Sequence, residues 1–167
     1  ASPHEISADL KLHWVRELNP AMPAWPRNQF KLDYDRAAQP VVVDQQIFVP
    51  SSSTDQLTAY DTRTGEENWH YNAEAPIRFA PVVYKGKVYF AADDGRLYCL
   101  NASDGKLIWR VNGAPKEQLL WGNHRLISVW PSRGGPVVHN GKIFFTASIW
   151  PMMGIFIHAV DPETGRI

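Results

Sequence analysis

One motif repeats along this chain and constrains its fold more than any other feature. It consists of an Asp or Asn, a Gly four residues later and a Trp four residues after that. The copies are Asp61, Gly65 and Trp69; Asn101, Gly105 and Trp109; and Asp161 and Gly165, where the sequence stops two residues before the position of the Trp. Such repetition is typical of architectures in which similar units stack on one another, so the motif residues are predicted to be scaffold.

Each copy closes a unit of four predicted strands. The unit opens with a Pro and two Val residues, at Pro40, Pro81 and Pro136, and a turn pair leads into a strand of aromatic and β-branched residues. The turn pairs are Asp44–Gln45, Lys85–Gly86 and Asn140–Gly141, and Asn-Gly is a strong hairpin signal because both residues accept positive φ. A third strand precedes the Asx–Gly turn and the Trp lies on the fourth. Four short antiparallel strands per unit predict an all-β fold in which each unit is one β-propeller blade.

The pattern divides the chain, residues 1–167, into parts of a single β-propeller region. We expect a blade at 40–72, a blade at 81–112, an insertion at 113–135 and an incomplete blade at 136–167. Residues 10–18 resemble a Trp-bearing fourth strand without its three partners, and residues 115–124 are predicted to form a helical turn or two inside the insertion.

About three blades are therefore present, whereas closed propellers have roughly four to eight. We expect the chain to be a section of a longer protein, with the N-terminal strand completing a last blade. Missing blades, or another copy of the chain, would then close the ring and cover the apolar faces of the terminal sheets.

The pattern Ala-x-Asp-x-x-x-Gly-x-x-x-Trp, seen at Ala59, Asp61, Gly65 and Trp69, resembles the pyrroloquinoline-quinone-like propeller repeat, although Leu100 replaces the Ala in the second copy. That family includes quinoprotein dehydrogenases and an outer-membrane assembly lipoprotein, so the resemblance implies a periplasmic or secreted location. It also implies that the Trp residues dock one blade onto the next. The expected docking residues are Trp14, Trp69, Trp109, Gly65, Gly105 and Gly165.

Three arginines lie at nearly equivalent places before the first strands, at Arg36, Arg78 and Arg133. Since first strands line the central channel, these side chains are candidates for a small anionic ligand, because each guanidinium can donate hydrogen bonds to two oxygens at once. By resemblance the ligand would be pyrroloquinoline quinone, a tricarboxylate, with calcium beside it. The alternative is that the arginines pair with nearby acids, namely Asp33, Asp35 and Glu74, or are solvated.

The longest irregular segments, 19–35, 113–135 and 149–153, are all predicted on the face that carries these arginines. Long loops in compact domains are often functional. They contain an aromatic and sulfur-bearing cluster, made of Trp121, His124, Trp130, Trp150, Met152 and Met153. It is either a patch that docks a protein partner or covers a flat ligand, or a small core that packs the insertions together.

Composition excludes several functions. The chain has 17 basic and 17 acidic residues, so it lacks the basic excess that a nucleic-acid groove needs. It has no apolar stretch long enough to span a membrane. The six His residues show no metal-ligand spacing, the single Cys99 is expected to be buried, and Asp93-Asp94-Gly95 lacks the rest of a calcium loop.

No catalytic residue is predicted. The vicinal Cys pair and the calcium-binding acidic set that the resemblance implies for dehydrogenases have no match in this sequence. The sequence therefore predicts an exported, non-catalytic binding or interaction module. The alternative is part of a quinone-dependent dehydrogenase that oxidises an alcohol or a sugar.

Overall fold

A computed structural model describes residues 11–25, 39–122 and 124–167. These residues form thirteen β-strands and a short 3-10 helix at Pro151–Met153, with no α-helix among them. The strands are arranged in antiparallel sheets, two of which have four strands. This arrangement confirms the predicted fold class, an all-β propeller section built from four-stranded antiparallel blades.

Blade 1 is a four-stranded sheet with its strands in chain order. Its strands are β1 (Val41–Val43), β2 (Gln46–Pro50), β3 (Gln56–Asp61) and β4 (Glu67–Asn72). The turn after β3 is stabilised by Asp61, whose Oδ1 accepts hydrogen bonds from the amides of Arg63 at 2.7 Å and Thr64 at 2.9 Å. Local side-chain bonding of this kind favours a tight turn between antiparallel strands.

Blade 2 repeats the same order. Its strands are β5 (Val82–Tyr84), β6 (Lys87–Ala91), β7 (Arg96–Asn101) and β8 (Leu107–Asn112). It is the most buried sheet, because blades 1 and 3 cover its two faces. Cys99 on β7 is fully buried as expected, and burial raises the pKa of its thiol to about 11.

The insertion between blades 2 and 3 forms a two-stranded hairpin, β9 (Leu119–Gly122) and β10 (Arg125–Ser128). The helical turn predicted for 115–124 is therefore wrong. A helix through Leu119 and Trp121 would need a partner surface to cover its apolar side. This segment pairs with β10 instead. His124 takes a positive φ of 66° next to the β10 strand, a conformation typical of hairpin turns.

Blade 3 has three strands, β11 (Val137–His139), β12 (Lys142–Ala147) and β13 (Phe156–Val160). Residues 11–20 are not in a strand, so the strand predicted at 10–18 does not form over its described part. The segment contacts blade 1 through side chains instead, since Trp14 Nε1 donates to the Thr62 carbonyl and Arg16 Nη1 donates to the Gly65 carbonyl.

The Trp and Gly residues of the repeat meet at the junctions between units. An ideal Cβ on Gly65 would lie 2.6 Å from Trp14, one on Gly105 2.5 Å from Trp69, and one on Gly165 2.9 Å from Trp109. Each indole Nε1 also donates to a carbonyl in the same turn, at Thr62, Ala102 and Pro162 respectively. Trp14 thus contacts blade 1 as the Trp of a preceding blade would, although its segment is not a strand.

Two buried clusters hold the blades together. The first joins blade 1 to blade 2 through side chains such as Phe48, Leu57 and Phe90, and the second joins blade 2 to blade 3 through side chains such as Tyr89 and Phe145. The cores therefore lie between sheets, as expected when successive blades stack face to face. The described part of the chain contains no helix that is long and apolar enough to cross a membrane.

Candidate functional site

The strand order places the long connections on one side of the blades. We call this surface the loop face. Its described parts are the connections between strands two and three of each blade, at 51–55, 92–95 and 148–155, and the connections between blades, at 73–81 and at 113–118 and 129–136 around the hairpin. The tight turns at the other ends of the strands form the opposite face.

A buried ion-pair cluster lies at the centre of the loop face. Asp93 follows β6 and is fully buried, and Arg78, before β5, is only 4% exposed. The Arg78 Nε donates to Asp93 Oδ2 at 2.7 Å. Arg133, before β11, donates from Nε to Oδ1 and from Nη2 to Oδ2, both at 3.2 Å. One carboxylate therefore binds two guanidinium groups that come from the two connections flanking blade 2.

The position of Asp93 is fixed by its backbone as well as its side chain. Its amide donates to the Pro76 carbonyl at 3.0 Å, and its carbonyl accepts from the Ser128 amide at 2.8 Å. Arg78 is also tied to the N-terminal segment, since its Nη1 donates to the Met22 carbonyl at 2.6 Å. The cluster therefore joins three connections of the loop face to the N-terminal segment.

A second ion pair ties the hairpin to blade 1. Arg125 on β10 donates from Nη2 to Asp55 Oδ2 at 2.6 Å and also reaches the Ser53 carbonyl at 3.3 Å. Burial raises the pKa of the Asp55 carboxyl above its ordinary value, and the nearby Arg125 opposes this rise. Asp55 Oδ1 is buried without a hydrogen-bond partner, so this ion pair is less well satisfied than the one at Asp93.

A cavity of about 300 Å³ lies beside the cluster. Its walls include Trp25, Trp150 and Arg133, together with Leu120 and Ile127 of the hairpin. The two indole rings meet edge to face, with centroids 5.6 Å apart at 79°, and the Arg133 guanidinium lies 5.6 Å from the Trp25 ring centre. This is an apolar cleft with one arginine at its edge, of a size that accepts a ring or a bulky apolar side chain.

The predicted aromatic cluster divides into a packed and an exposed part. Trp130 is 5% exposed, and its Nε1 donates to the Met153 carbonyl at 2.9 Å, so it packs the insertion against the 3-10 helix. Trp121 is 70% exposed and Met152 is 85% exposed, while Trp150 and Met153 are partly exposed. The packing interpretation therefore applies to Trp130, and the docking interpretation stays a prediction for the exposed members.

A charged cleft of about 340 Å³ lies on the other side of the hairpin. In this cleft Arg96 donates to the Glu74 carboxylate and, from Nη2, to Glu117 Oε1 at 2.7 Å. Arg110 Nη1 also donates to Glu74, at 2.5 Å from Oε1. Burial raises the pKa of the Asp94 carboxyl, which accepts a hydrogen bond from Tyr98. Glu74 therefore pairs with arginines of blade 2 and not with Arg78.

The predicted arginine site is only partly visible. Arg36, and the acids Asp33 and Asp35 considered as its partners, lie outside the described residues. Arg78 and Arg133 come together, but on Asp93, which the sequence indicated only as part of an incomplete calcium loop. The sequence offered one hint. Asp93 and Asp94 are adjacent after an apolar strand, and adjacent side chains of an extended segment point to opposite sides, so one of the two carboxylates could be expected to point inward.

The fit of these residues to pyrroloquinoline quinone depends on whether their guanidinium groups are accessible. A tricarboxylate needs cationic donors that face an open space, whereas the Nε side of both guanidinium groups is bound to Asp93. The described residues as they stand therefore do not fit this cofactor. The part of the chain that the structure describes also contains no group of three or more His, Cys, Asp or Glu residues arranged to hold a metal ion.

Comparison with known proteins agrees with the repeat pattern. The family model described as "Outer membrane protein assembly factor BamB" matches residues 11–167. The dehydrogenase subunit of the quinone alcohol dehydrogenase of Gluconacetobacter polyoxogenes is 32% identical over 151 residues, covering 81% of this chain and 20% of that protein. Among solved structures, quinohemoprotein alcohol dehydrogenase ADHIIG of Pseudomonas putida superposes with a TM-score of 0.64 at 27% identity, covering 81% of this chain and 20% of that one.

A second solved structure, the quinohemoprotein alcohol dehydrogenase of Comamonas testosteroni, gives a TM-score of 0.60 at 32% identity over 76% of this chain and 19% of that one. The chain thus spans about a fifth of the length of the relatives it matches. Together with the repeat, the stacked four-stranded sheets and the match over residues 11–167, these similarities show that the chain belongs to the quinoprotein-type, pyrroloquinoline-quinone-like family of β-propeller repeats.

Proposed function

We propose that this section of propeller is a non-catalytic binding module that docks a protein partner on its loop face. The observation that carries the proposal is the exposed apolar surface built by the insertion and by the connection between β12 and β13. We call this surface the apolar rim and define it by Trp121, Trp150, Met152 and Met153. One of its members, Trp150, also lines the cavity that contains Trp25.

The composition of the apolar rim suits protein recognition. Large exposed apolar patches on folded domains often mark interaction sites. Trp residues contribute much of the binding energy of many interfaces. Met side chains adapt to irregular partner surfaces because they are unbranched and polarizable. The adjoining cavity of about 300 Å³ would accept one large apolar side chain of the partner.

The scaffold beneath the rim supports the same function. The Asp93 cluster and the Arg125–Asp55 ion pair tie the connections between blades to one another, so the rim lies on a rigid base. A preorganised surface loses less conformational entropy when a partner binds.

The proposal is tested by photo-cross-linking in the full-length protein expressed in its native host. A benzophenone side chain is introduced at Met152 on the apolar rim and, as a matched control, at Ser103 on the opposite face. We expect a discrete cross-linked protein at position 152 and none at position 103. Equal labelling at the two positions, or no adduct at position 152, would contradict docking at the rim.

A second candidate function is favoured by the similarity to quinone alcohol dehydrogenases. In that case the chain is part of an enzyme that oxidises an alcohol or a sugar with pyrroloquinoline quinone. Oxidation of ethanol or glucose by the full-length protein, dependent on added quinone and calcium, supports this candidate. It would equally argue against a purely non-catalytic module.

We also propose a periplasmic or secreted location, which the family model named for an outer-membrane assembly factor supports. Fractionation of the native host with an antibody against the chain tests this location. Recovery in the cytoplasmic fraction alone would contradict it.

A further inference from the structure

We infer that Asp93 is a built-in counter-ion that closes the arginine pair of the loop face, Arg78 and Arg133, to external carboxylate ligands. This inference does not depend on which protein docks at the apolar rim. It assigns a specificity-determining role to a residue that belongs neither to the repeat motif nor to the apolar rim.

The repeat itself delivers the two guanidinium groups to one point. Arg78 lies three residues before Pro81, and Arg133 lies three residues before Pro136, so the two occupy equivalent positions in successive units. Asp93 belongs to the blade between them. Its Oδ2 accepts from both arginines, at 2.7 Å and 3.2 Å, and its Oδ1 accepts from Arg133 at 3.2 Å. An arginine pair that would suit an external carboxylate thus has a carboxylate of the chain between its members.

This carboxylate is difficult to displace. It is fully buried, and backbone hydrogen bonds on both sides of Asp93 fix where it lies. A bond to an external anion would leave Asp93 buried without a cation, which is strongly unfavourable. Because it is attached to the chain, Asp93 also competes with any free ligand at a high effective concentration.

The consequence concerns the cavity beside Arg133. Apart from Ser128, its remaining walls are apolar and aromatic, and the Arg133 guanidinium is paired with the Asp93 carboxylate. We therefore expect the cavity to accept neutral or apolar groups and to discriminate against anions. Removal of the Asp93 side chain should reverse this preference, since it leaves two guanidinium groups around an empty space of carboxylate size.

The test is rescue by a small anion. Melting temperatures of the wild type, of Asp93→Ala and of the control Asp104→Ala are measured in sodium acetate and in sodium chloride at equal ionic strength. Asp104 is an exposed carboxylate paired with Lys106 on the opposite face. We expect Asp93→Ala to melt well below the wild type in chloride, and its melting temperature to rise by about 5 °C or more at saturating acetate. The wild type and Asp104→Ala should each have the same melting temperature in both salts.

Several results would overturn the inference. One is equal stability of Asp93→Ala in both salts, and another is stabilisation of the wild type by acetate or citrate that disappears in Arg133→Gln. If Asp93→Ala does not fold during expression, it is refolded from urea into each salt. Recovery in acetate alone supports the inference, and failure in both salts or equal recovery in both contradicts it.

Discussion

Replacing Gly105 by Ala should destabilise the chain far more than the same replacement at Gly86. Both glycines have a φ of 70°, so an Ala at either position meets the same left-handed backbone penalty, about 1 to 2 kcal/mol. Their surroundings differ. A Cβ at Gly86 would have no atom within 4 Å, whereas a Cβ at Gly105 would lie 2.5 Å from Cε3 and 2.6 Å from Cδ2 of Trp69.

The indole of Trp69 cannot easily move away. Its Nε1 donates to the Ala102 carbonyl at 3.1 Å, and its ring packs at 5.8 Å from that of Phe48 inside the cluster that joins blades 1 and 2. Overpacking of this kind costs about 1 to 3 kcal/mol in addition to the backbone penalty. We therefore expect a loss of about 2 to 5 kcal/mol for Gly105→Ala, against about 1 to 2 kcal/mol for Gly86→Ala.

Urea denaturation followed by tryptophan fluorescence measures the free energy of unfolding of both variants beside the wild type. Gly141, with a φ of 75° and an equally open surrounding, serves as a second control. If Gly105→Ala and Gly86→Ala differ by less than about 0.5 kcal/mol, close contact between Trp and Gly does not limit how the blades pack, and the reasoning is refuted.

Three further predictions concern other parts of the chain. Trp109→Ala should lower the free energy of unfolding, measured by urea denaturation, by about 3 to 5 kcal/mol because it empties the junction between blades 2 and 3. Trp109→Phe should lower it clearly less, because a ring remains in the junction. Two backbone amides of the turn after β3 donate to the Asp61 carboxylate and hold its pKa below the ordinary value. The stability that Asp61 contributes is therefore complete above about pH 4 and is lost as the pH falls through the lower pKa of the folded state. Asp61→Asn should therefore flatten the acid side of a plot of urea midpoint against pH, and an unchanged slope would contradict this. Arg125→Gln removes the ion pair with Asp55, so amide hydrogen exchange in residues 119–128 should accelerate while that of blade 2 stays the same.

Much of the fold could be predicted because its signals are local. The turn pairs and the alternation of aromatic and β-branched residues lie within a few positions of one another, and the repeat supplies three copies of each. The family pattern implied that Trp69 docks one blade onto the next, but the packing of its ring against Gly105 of the following blade is seen only in the structure. The hairpin was missed because Leu119-Leu120-Trp121 shows no alternation, so short periodicity did not distinguish a strand from a helix. The Gly122-Asn123 pair that follows is the turn signal that could have found it.

The candidate site could be predicted only in part, for a different reason. The repeat indicated that Arg78 and Arg133 would share a face, but nothing local indicated that Asp93 would bind both. These contacts join residues 15 and 40 positions apart, and they depend on how neighbouring units pack. Likewise, the sequence showed that Trp130 and Met152 were both apolar, and only packing shows that one is buried and the other exposed.

The most direct test of the account is an equilibrium titration of the full-length protein with pyrroloquinoline quinone in the presence of calcium, followed by quinone absorbance. If this section of the propeller is a docking module whose arginine pair is closed by Asp93, the wild type should show no saturable binding through Arg78 and Arg133. Stoichiometric binding that is lost in both Arg78→Gln and Arg133→Gln would contradict the account.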